Sequence, residues 1–314
     1  MTDNGQWERE LVTKLASAAL KEQRRARLWG IFFKLLTFVY VTLVLALAVD
    51  WKGRTEVAVG KKHTAMVEVS GIIGPGSDAS AEKVMSALQA SFKDKNTQGV
   101  VVRINSPGGS PVQAQTIYDE MRRLRKVYPS IPLYAVVEDI CASGGYFVAV
   151  GADRIYVAKS SLVGSIGVLM NGFGFTGMMD KLGIERRLIT AGENKGFLDP
   201  FSPLEEKHRE YAQQLTKEIH EQFIGVVREG RGKRLKETPE LFSGLIWTGQ
   251  KSIELGLADG LGSVESVARD VVKAEDIVDF TPKENLVEKV AKRFGAAAAG
   301  ALAEAALRAS PGIR

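Results

Sequence analysis

Gly99-Val-Val-Val-Arg-Ile-Asn-Ser-Pro-Gly-Gly109, followed at once by Ser110-Pro111, decides the class of fold. Residues 99–104 form a β-branched run with no polar alternation, the pattern of a strand buried on both faces of a parallel sheet. The paired glycines end the run. Residues 112–127 then carry Val112, Ile117, Met121 and Leu124 at helical spacing. A strand, a glycine turn and a helix make half of a crossover unit, and the same alternation continues outward on both sides. Residues 65–70 alternate as a strand, and residues 80–92 are helical through Val84, Leu88 and Phe92. Residues 133–137 read as a strand, 143–150 as a small buried helix, and 154–158 and 187–190 as short strands. This order predicts an α/β protein with a mainly parallel sheet.

A longer helix is predicted next. Ser202-Pro-Leu-Glu205 has the form of a capping box with proline at the first helical position, and Tyr211, Leu215, Ile219 and Phe223 follow on one face as far as Gly230. Residues 231–280 read as a smaller helix-and-strand region with turns at Thr248-Gly249 and Asp259-Gly260. The tail from Gly295, GAAAAGALAEAALRAS, is low in complexity.

Composition narrows the function classes. The 314 residues hold 45% hydrophobic and 25% charged residues, ordinary globular values, with a net charge of +5 spread along the chain. No basic run with interleaved aromatics exists, which argues against nucleic acid as a partner. One cysteine, Cys141, excludes an intrachain disulfide and a multi-cysteine metal site. His63, His208 and His220 form no H-x-x-x-H pair, so a His-based metal site is not expected, and the serine chemistry read below needs neither a metal nor a cofactor.

Residues 28–49, LWGIFFKLLTFVYVTLVLALAV, carry Lys34 as their one charge. As a helix they span about 33 Å at ~1.5 Å per residue, close to the ~30 Å hydrocarbon core of a membrane. Trp29 sits where an interfacial anchor would, and Lys34 is near enough to the end to snorkel. Lys21, Arg24, Arg25 and Arg27 lie immediately before the run, which favours the N-terminus inside. The reading is an uncleaved anchor. Two alternatives stand beside it: a signal peptide cut at Ala46-Leu47-Ala48, and a buried core helix. The expected organisation is an amphipathic cytoplasmic extension at 1–27 with Trp7, Leu11, Leu15 and Ala18 on one face, the anchor at 28–49, a linker at 50–64, a folded domain at 65–285 and the alanine-rich tail at 286–314.

Two turns can carry chemistry. Asn105–Gly109 brings backbone N–H groups close to a ligand and can hold an oxyanion or a phosphate; it lacks the P-loop pattern, and a plain tight turn is the competing reading. Cys141-Ala-Ser-Gly-Gly145 presents Ser143 between strand and helix like a nucleophile, although Cys141 stands where a nucleophile elbow has glycine. Ser143 as a helix N-cap is the competing reading, and Cys141 is a better buried thiol than a nucleophile. A serine nucleophile needs a base. No histidine has a suitable context, which leaves Lys195, a loop lysine in Ala191-Gly-Glu-Asn-Lys-Gly-Phe197 that by its local sequence alone reads better as a surface residue. Lysine is a base only when neutral, a form that burial favours. Ser80-Ala-Glu-Lys83 matches S-x-x-K, but no S-D-N or K-T-G motif follows, and the β-lactamase reading fails.

Asn105-Ser-Pro-Gly-Gly109, Ala142-Ser-Gly-Gly-Tyr146, Ala152-Asp-Arg-Ile155, Gly164-Ser-Ile-Gly-Val168 and Asn194-Lys195 together resemble the signal peptide peptidase A family of serine proteases, peptidase family S49, in its short form without a duplicated half. The resemblance runs from about residue 65 to 265 and includes Trp247-Thr-Gly249 and Gly256-Leu-Ala-Asp-Gly260. It implies a ClpP/crotonase-like spiral of ββα units. It places the family nucleophile on Ser143, the general base on Lys195, and the oxyanion donors on the N–H groups of Gly109 and Gly144, with Gly108 the neighbouring alternative. Ser165 would orient the lysine. It further implies a bacterial inner-membrane protein with its protease domain on the outer side, a homo-oligomeric ring in which neighbours can share the dyad, and apolar or remnant signal peptides as substrates. A related protease acting on other membrane proteins, a crotonase-type acyl-CoA enzyme and a non-catalytic scaffold with a vestigial dyad are the alternatives.

Overall fold

In a computed structural model of the full chain, residues 4–48 and 61–282 are described. Most of the expected linker, the tail and the side chains of the Trp7–Leu11–Leu15 stripe lie outside the described residues. The N-terminal residues belong to a unit of their own, apart from the compact unit Ala58–Pro282. They form one continuous helix, α1 (Asn4–Ala48). The stretch Leu20–Leu43 within it is long and apolar enough to cross a membrane. Its large side chains are exposed, Phe38 at 69% and Leu28 at 66%, so this helix is not the core helix of a folded domain.

The compact unit is built on a sheet of β1 (His63–Ile73), β2 (Thr97–Gly109), β3 (Leu133–Ala142), β4 (Arg154–Val157), β5 (Leu162–Gly164), β6 (Ile246–Thr248), β7 (Gly260–Leu261) and β8 (Ile277–Asp279). The order along the sheet is β6-β5-β3-β2-β1-β8. β3 forks: its first half pairs with β4, which carries β7, and its last three residues pair with β5. Every pairing is parallel except β5 with β6. The helices α2 (Ala81–Lys93) and α3 (Pro111–Val127) cross between β1, β2 and β3, and the short α4 (Gly144–Ala149) follows β3.

Both sheet faces are covered, which explains the unbroken apolar runs. In β2 the side chains alternate. Val100, Val102 and Ile104 join the large core under α2, α3 and α4, where Leu88, Ile117, Met121 and Tyr146 are wholly buried. Val101 points the other way, into a smaller cluster with Met66, Val136, Tyr156, Val264 and Val267. That second face is closed by α8 (Val264–Ser266) and the π-turn continuing it to Val272.

Between β5 and β6 the chain leaves the sheet. It forms α5 (Thr176–Lys181), a long irregular segment and the helix α6 (Glu206–Arg231), and after β6 comes α7 (Gly249–Glu254). Two expectations fail here. Residues 187–190 form no strand; Ile189 is 95% exposed. A strand is held by its partner's ladder, and no sheet edge reaches this stretch. The capping box also fails: α6 begins at Glu206 with Glu205 as N-cap, so Ser202 stands too far upstream to receive a helix N–H, and its hydroxyl donates to Asp199 Oδ2 at 2.6 Å. His63, placed by the sequence in a linker, opens β1 and is buried; its Nδ1–H donates to Lys61 O at 3.1 Å, and its Nε2 faces Thr97 Oγ1 at 3.3 Å.

Candidate active site

The site is built where β2 and β3 end side by side. β3 runs in register with β5 through Ala142 opposite Gly164, and the register carries one step further: the Ser143 N–H donates to Gly164 O at 2.9 Å. Ser143 and Ser165 therefore leave their strands together, and both sit at φ 51. A positive φ costs a non-glycine residue about 1–3 kcal/mol and persists only when the surroundings impose it. The ladder fixes Ser143 from one side. From the other, α4 starts at Gly144, and Phe147 N–H closes the first helical turn on Ser143 O at 2.9 Å. Ser143 holds the N-cap position but its hydroxyl caps nothing, which weighs against the purely structural reading of this serine.

The glycine turn packs directly against it. A side chain on Gly108, at φ 101, would place Cβ 2.6 Å from Gly144 N and 2.8 Å from Ser143 Cβ. One on Gly109 would lie 2.1 Å from Ile73 O. Only backbone fits here, so the two turns approach to contact. The Gly109 amide nitrogen lies 3.2 Å from where a Cβ on Gly144 would stand. Gly108 N–H is engaged: it donates to Ser106 Oγ at 3.1 Å, whose own proton goes to Gly71 O at 2.6 Å. Gly144 N–H opens α4, where an amide has no intrahelical acceptor. Ser106 was not singled out from the sequence; the hydroxyl that orders the turn lay inside its motif, in Asn-Ser-Pro.

A pocket of about 400 Å³ opens from Ser143 and Gly144. Its walls are Val112 and Ala114 of α3, Phe147 of α4, Val168, and Ile219 and Phe223 of α6, with Gln115, Thr116 and Gln222 as polar members and no charged residue. Val112, read from the sequence as part of this helix's apolar spacing, lines this mouth and is 71% exposed. The α6 stripe divides likewise: Phe223 is buried, Ile219 is half-buried in the pocket wall, and Tyr211 is exposed. A second groove of about 620 Å³ continues from Val168 along residues 169–174 to Leu198, Leu204 and Thr216.

Lys195 is elsewhere. It lies exposed in an irregular turn, its N–H on Gly192 O at 3.1 Å, and it does not line the Ser143 pocket. One chain thus brings together Ser143, Ser165, Gly108, Gly109 and Gly144, and leaves Lys195 apart. No histidine replaces it. His220 Nε2 faces the carbonyl of Ile166 at 3.1 Å, so that nitrogen carries a proton and is a donor. His208 Nε2 faces Asn194 Oδ1 at 3.3 Å. Cys141 is fully buried in the core, and burial pushes its thiol far above the ordinary range, which keeps it protonated.

Comparison with known proteins identifies the family. A model of peptidase family S49 matches residues 125–278, and a Clp protease model matches residues 64–162. A Brucella abortus protein named "Na(+)/H(+) antiporter NhaA" is 42% identical over 215 residues, 68% of this chain, which spans only 29% of that protein's length. The Synechocystis sp. protein named "Putative protease slr0021" is 32% identical over 205 residues, 65% of this chain and 72% of its own. The Arabidopsis thaliana "Serine protease SPPA, chloroplastic" is 27% identical over 238 residues, 75% of this chain and 35% of its own. The sheet with its flanking helices is thus a ClpP-like α/β domain, and the chain belongs to peptidase family S49.

Proposed function

We propose that this protein is a membrane-anchored endopeptidase that uses a Ser143–Lys195 dyad to cut apolar peptides, remnant signal peptides among them. The observation that carries the reading is Ser143 itself. It is a serine held at positive φ, with its hydroxyl free of any capping bond, between two close glycine turns at the mouth of an uncharged apolar pocket.

The chemistry follows from the arrangement. Ser143 Oγ attacks the scissile carbonyl while the neutral Lys195 amine takes its proton. The oxyanion forms between the N–H groups of Gly109 and Gly144; the engagement of Gly108 N–H by Ser106 supports choosing Gly109 over its neighbour. The lysine then returns the proton to the leaving amine, and water hydrolyses the acyl-enzyme by the same route in reverse. Ser165, beside Ser143, holds the lysine. An extended peptide would lie with an apolar side chain in the pocket against Val112, Phe147 and Phe223.

Lys195 is exposed and absent from the lining of its own chain's pocket. A homo-oligomeric ring meets this: a neighbouring copy supplies Lys195 and the burial that favours a neutral amine. The exposed Leu169, Phe173, Leu182, Ile184 and Ile189 supply apolar surface for such contacts. The α1 helix would anchor the ring in the inner membrane with its N-terminus cytoplasmic and the protease domain outside.

The test uses the full chain in detergent micelles with an uncharged apolar peptide, comparing wild type, Ser143→Ala and Lys195→Ala from neutral to alkaline pH. Loss of at least ~10³-fold for Ser143→Ala and about 10²–10⁴-fold for Lys195→Ala supports the dyad. Near-normal cleavage by folded Lys195→Ala refutes the assigned base. Mixing the two inactive variants restores part of the activity if the dyad is shared between copies.

A further inference from the structure

The turn carrying Lys195 has little packing of its own. Its internal bonds are local, from Lys195 N–H to Gly192 O and from Phe197 N–H to Asn194 O, both 3.1 Å. What fixes it is the first turn of α6. His208 there is 8% exposed, an uncommon burial for a residue with a titratable ring. Its Nε2–H donates to Asn194 Oδ1 at 3.3 Å, immediately before Lys195. Its ring meets Phe197 edge-on with centroids 5.5 Å apart, two residues after Lys195. Phe197 in turn packs on Tyr211, one helical turn further along α6, at 5.6 Å.

A second tie exists. Lys207 Nζ lies 3.3 Å from Glu193 Oε1 and 3.1 Å from Glu205 Oε2. All three groups are about half exposed or more, and pairs so open to solvent contribute little. The buried imidazole, grasping the turn on both sides of Lys195, carries the anchoring.

We propose that His208 is a positioning residue that fixes the Asn194–Phe197 turn on α6 and thereby sets where Lys195 Nζ is presented. The inference rests on Lys195 being the general base. Reacting groups displaced by about 1 Å lose on the order of 10²-fold in rate, so the hydrogen bond matters to turnover more than to substrate binding. His208→Leu keeps bulk but removes the donor. His208→Gln keeps an N–H donor at comparable reach. Asn194→Ala removes the same bond from the exposed side of the turn, where folding is not at stake.

The experiment measures kcat and KM of the full chain on the apolar peptide for these three variants, with Lys195→Ala alongside. The expected result is kcat down about tenfold to a hundredfold in His208→Leu and in Asn194→Ala, KM within twofold, and most of kcat recovered in His208→Gln. Wild-type kcat in Asn194→Ala, or a folded His208→Gln no better than His208→Leu, overturns the role of His208 while leaving the dyad intact. If His208→Leu does not fold, Asn194→Ala decides. Activity retained in Lys195→Ala instead removes the base itself, and the positioning role falls with it.

Discussion

Ser143 is where backbone and chemistry meet. Its φ of 51 is imposed by the ladder to Gly164 on one side and the α4 turn on the other, and the neighbouring glycines leave room only for backbone. Gly108→Ala would drive its Cβ into Gly144 N from a φ that alanine rarely adopts. We expect kcat to fall by about 10²–10³-fold, the scale of losing one oxyanion donor, with a lowered melting temperature; a kinetic assay beside a thermal melt reads both. Cys141→Ala makes the opposite prediction. The thiol is buried and protonated, so activity should stay within about twofold at a stability cost of roughly 1 kcal/mol, and thiol reagents should leave the folded wild type active.

At the scale of elements, α6 touches both the Ser143 pocket and the turn that carries Lys195. Ile219 and Phe223 form the pocket wall, Phe223 and Val227 enter the core, and Arg231 ends the same buried line at 1% exposure. Its guanidinium bonds both carboxylate oxygens of Asp259 at 2.9 Å and, through Nε, Gly256 O at 2.8 Å. Asp259 also accepts Ile155 N–H at 2.7 Å, which ties α6 and β4 to the strand start at Gly260. Burial alone would raise the Asp259 pKa; the Arg231 hydrogen bonds and charge outweigh it and hold it below the usual carboxylate range. Arg231→Ala leaves that carboxylate buried with only the half-exposed Arg234 beside it, and we expect a loss of about 3–5 kcal/mol by denaturant unfolding. The pH dependence has a definite sign. A depressed folded pKa contributes stability that is present above the unfolded value, about 4, and is lost as pH falls through the folded value. Asp259→Asn should therefore flatten the acid limb of a melting-temperature profile while lowering stability at neutral pH. Val112 tests the pocket rather than the fold: it is exposed on its wall, so Val112→Arg should change stability by less than ~0.5 kcal/mol yet raise KM for apolar peptides several-fold.

For the whole molecule, α1 and the compact unit are built on different patterns of apolar residues. α1 exposes Trp29, Phe32, Phe33, Leu36 and Phe38, and in the anchor we propose, transfer of these side chains into hydrocarbon would stabilise it. Replacing Leu36 by Arg near the middle of the span should cost about 3 kcal/mol of insertion, seen as a shift of the full chain from the carbonate-resistant membrane pellet to the supernatant. The compact unit instead stands on a sheet buried on both faces, with its pocket at the strand ends, where open α/β sheets bind ligands.

Much of this was legible in the chain. Period and composition placed β1 to β4, α2 to α4 and the apolar segment, because buried parallel strands and lipid-facing helices leave unbroken apolar runs whatever surrounds them. The glycine pairs marked the two turns for a local reason as well, since only glycine lets backbones meet at the distances seen around Gly108 and Gly109. Residues 187–190 and the Ser202 cap misled because both depend on a partner: a strand needs a neighbouring edge, and a capping serine needs the helix to start beside it, whereas α6 starts at Glu206. Tertiary structure alone decided that Ser165 stands beside Ser143, that Val112 and Ile219 line a pocket rather than the core, that His208 grips the Lys195 turn, and that Lys195 lies off the pocket of its own chain. These are contacts between residues far apart along the chain, whose partners are chosen by packing, and no local pattern records them.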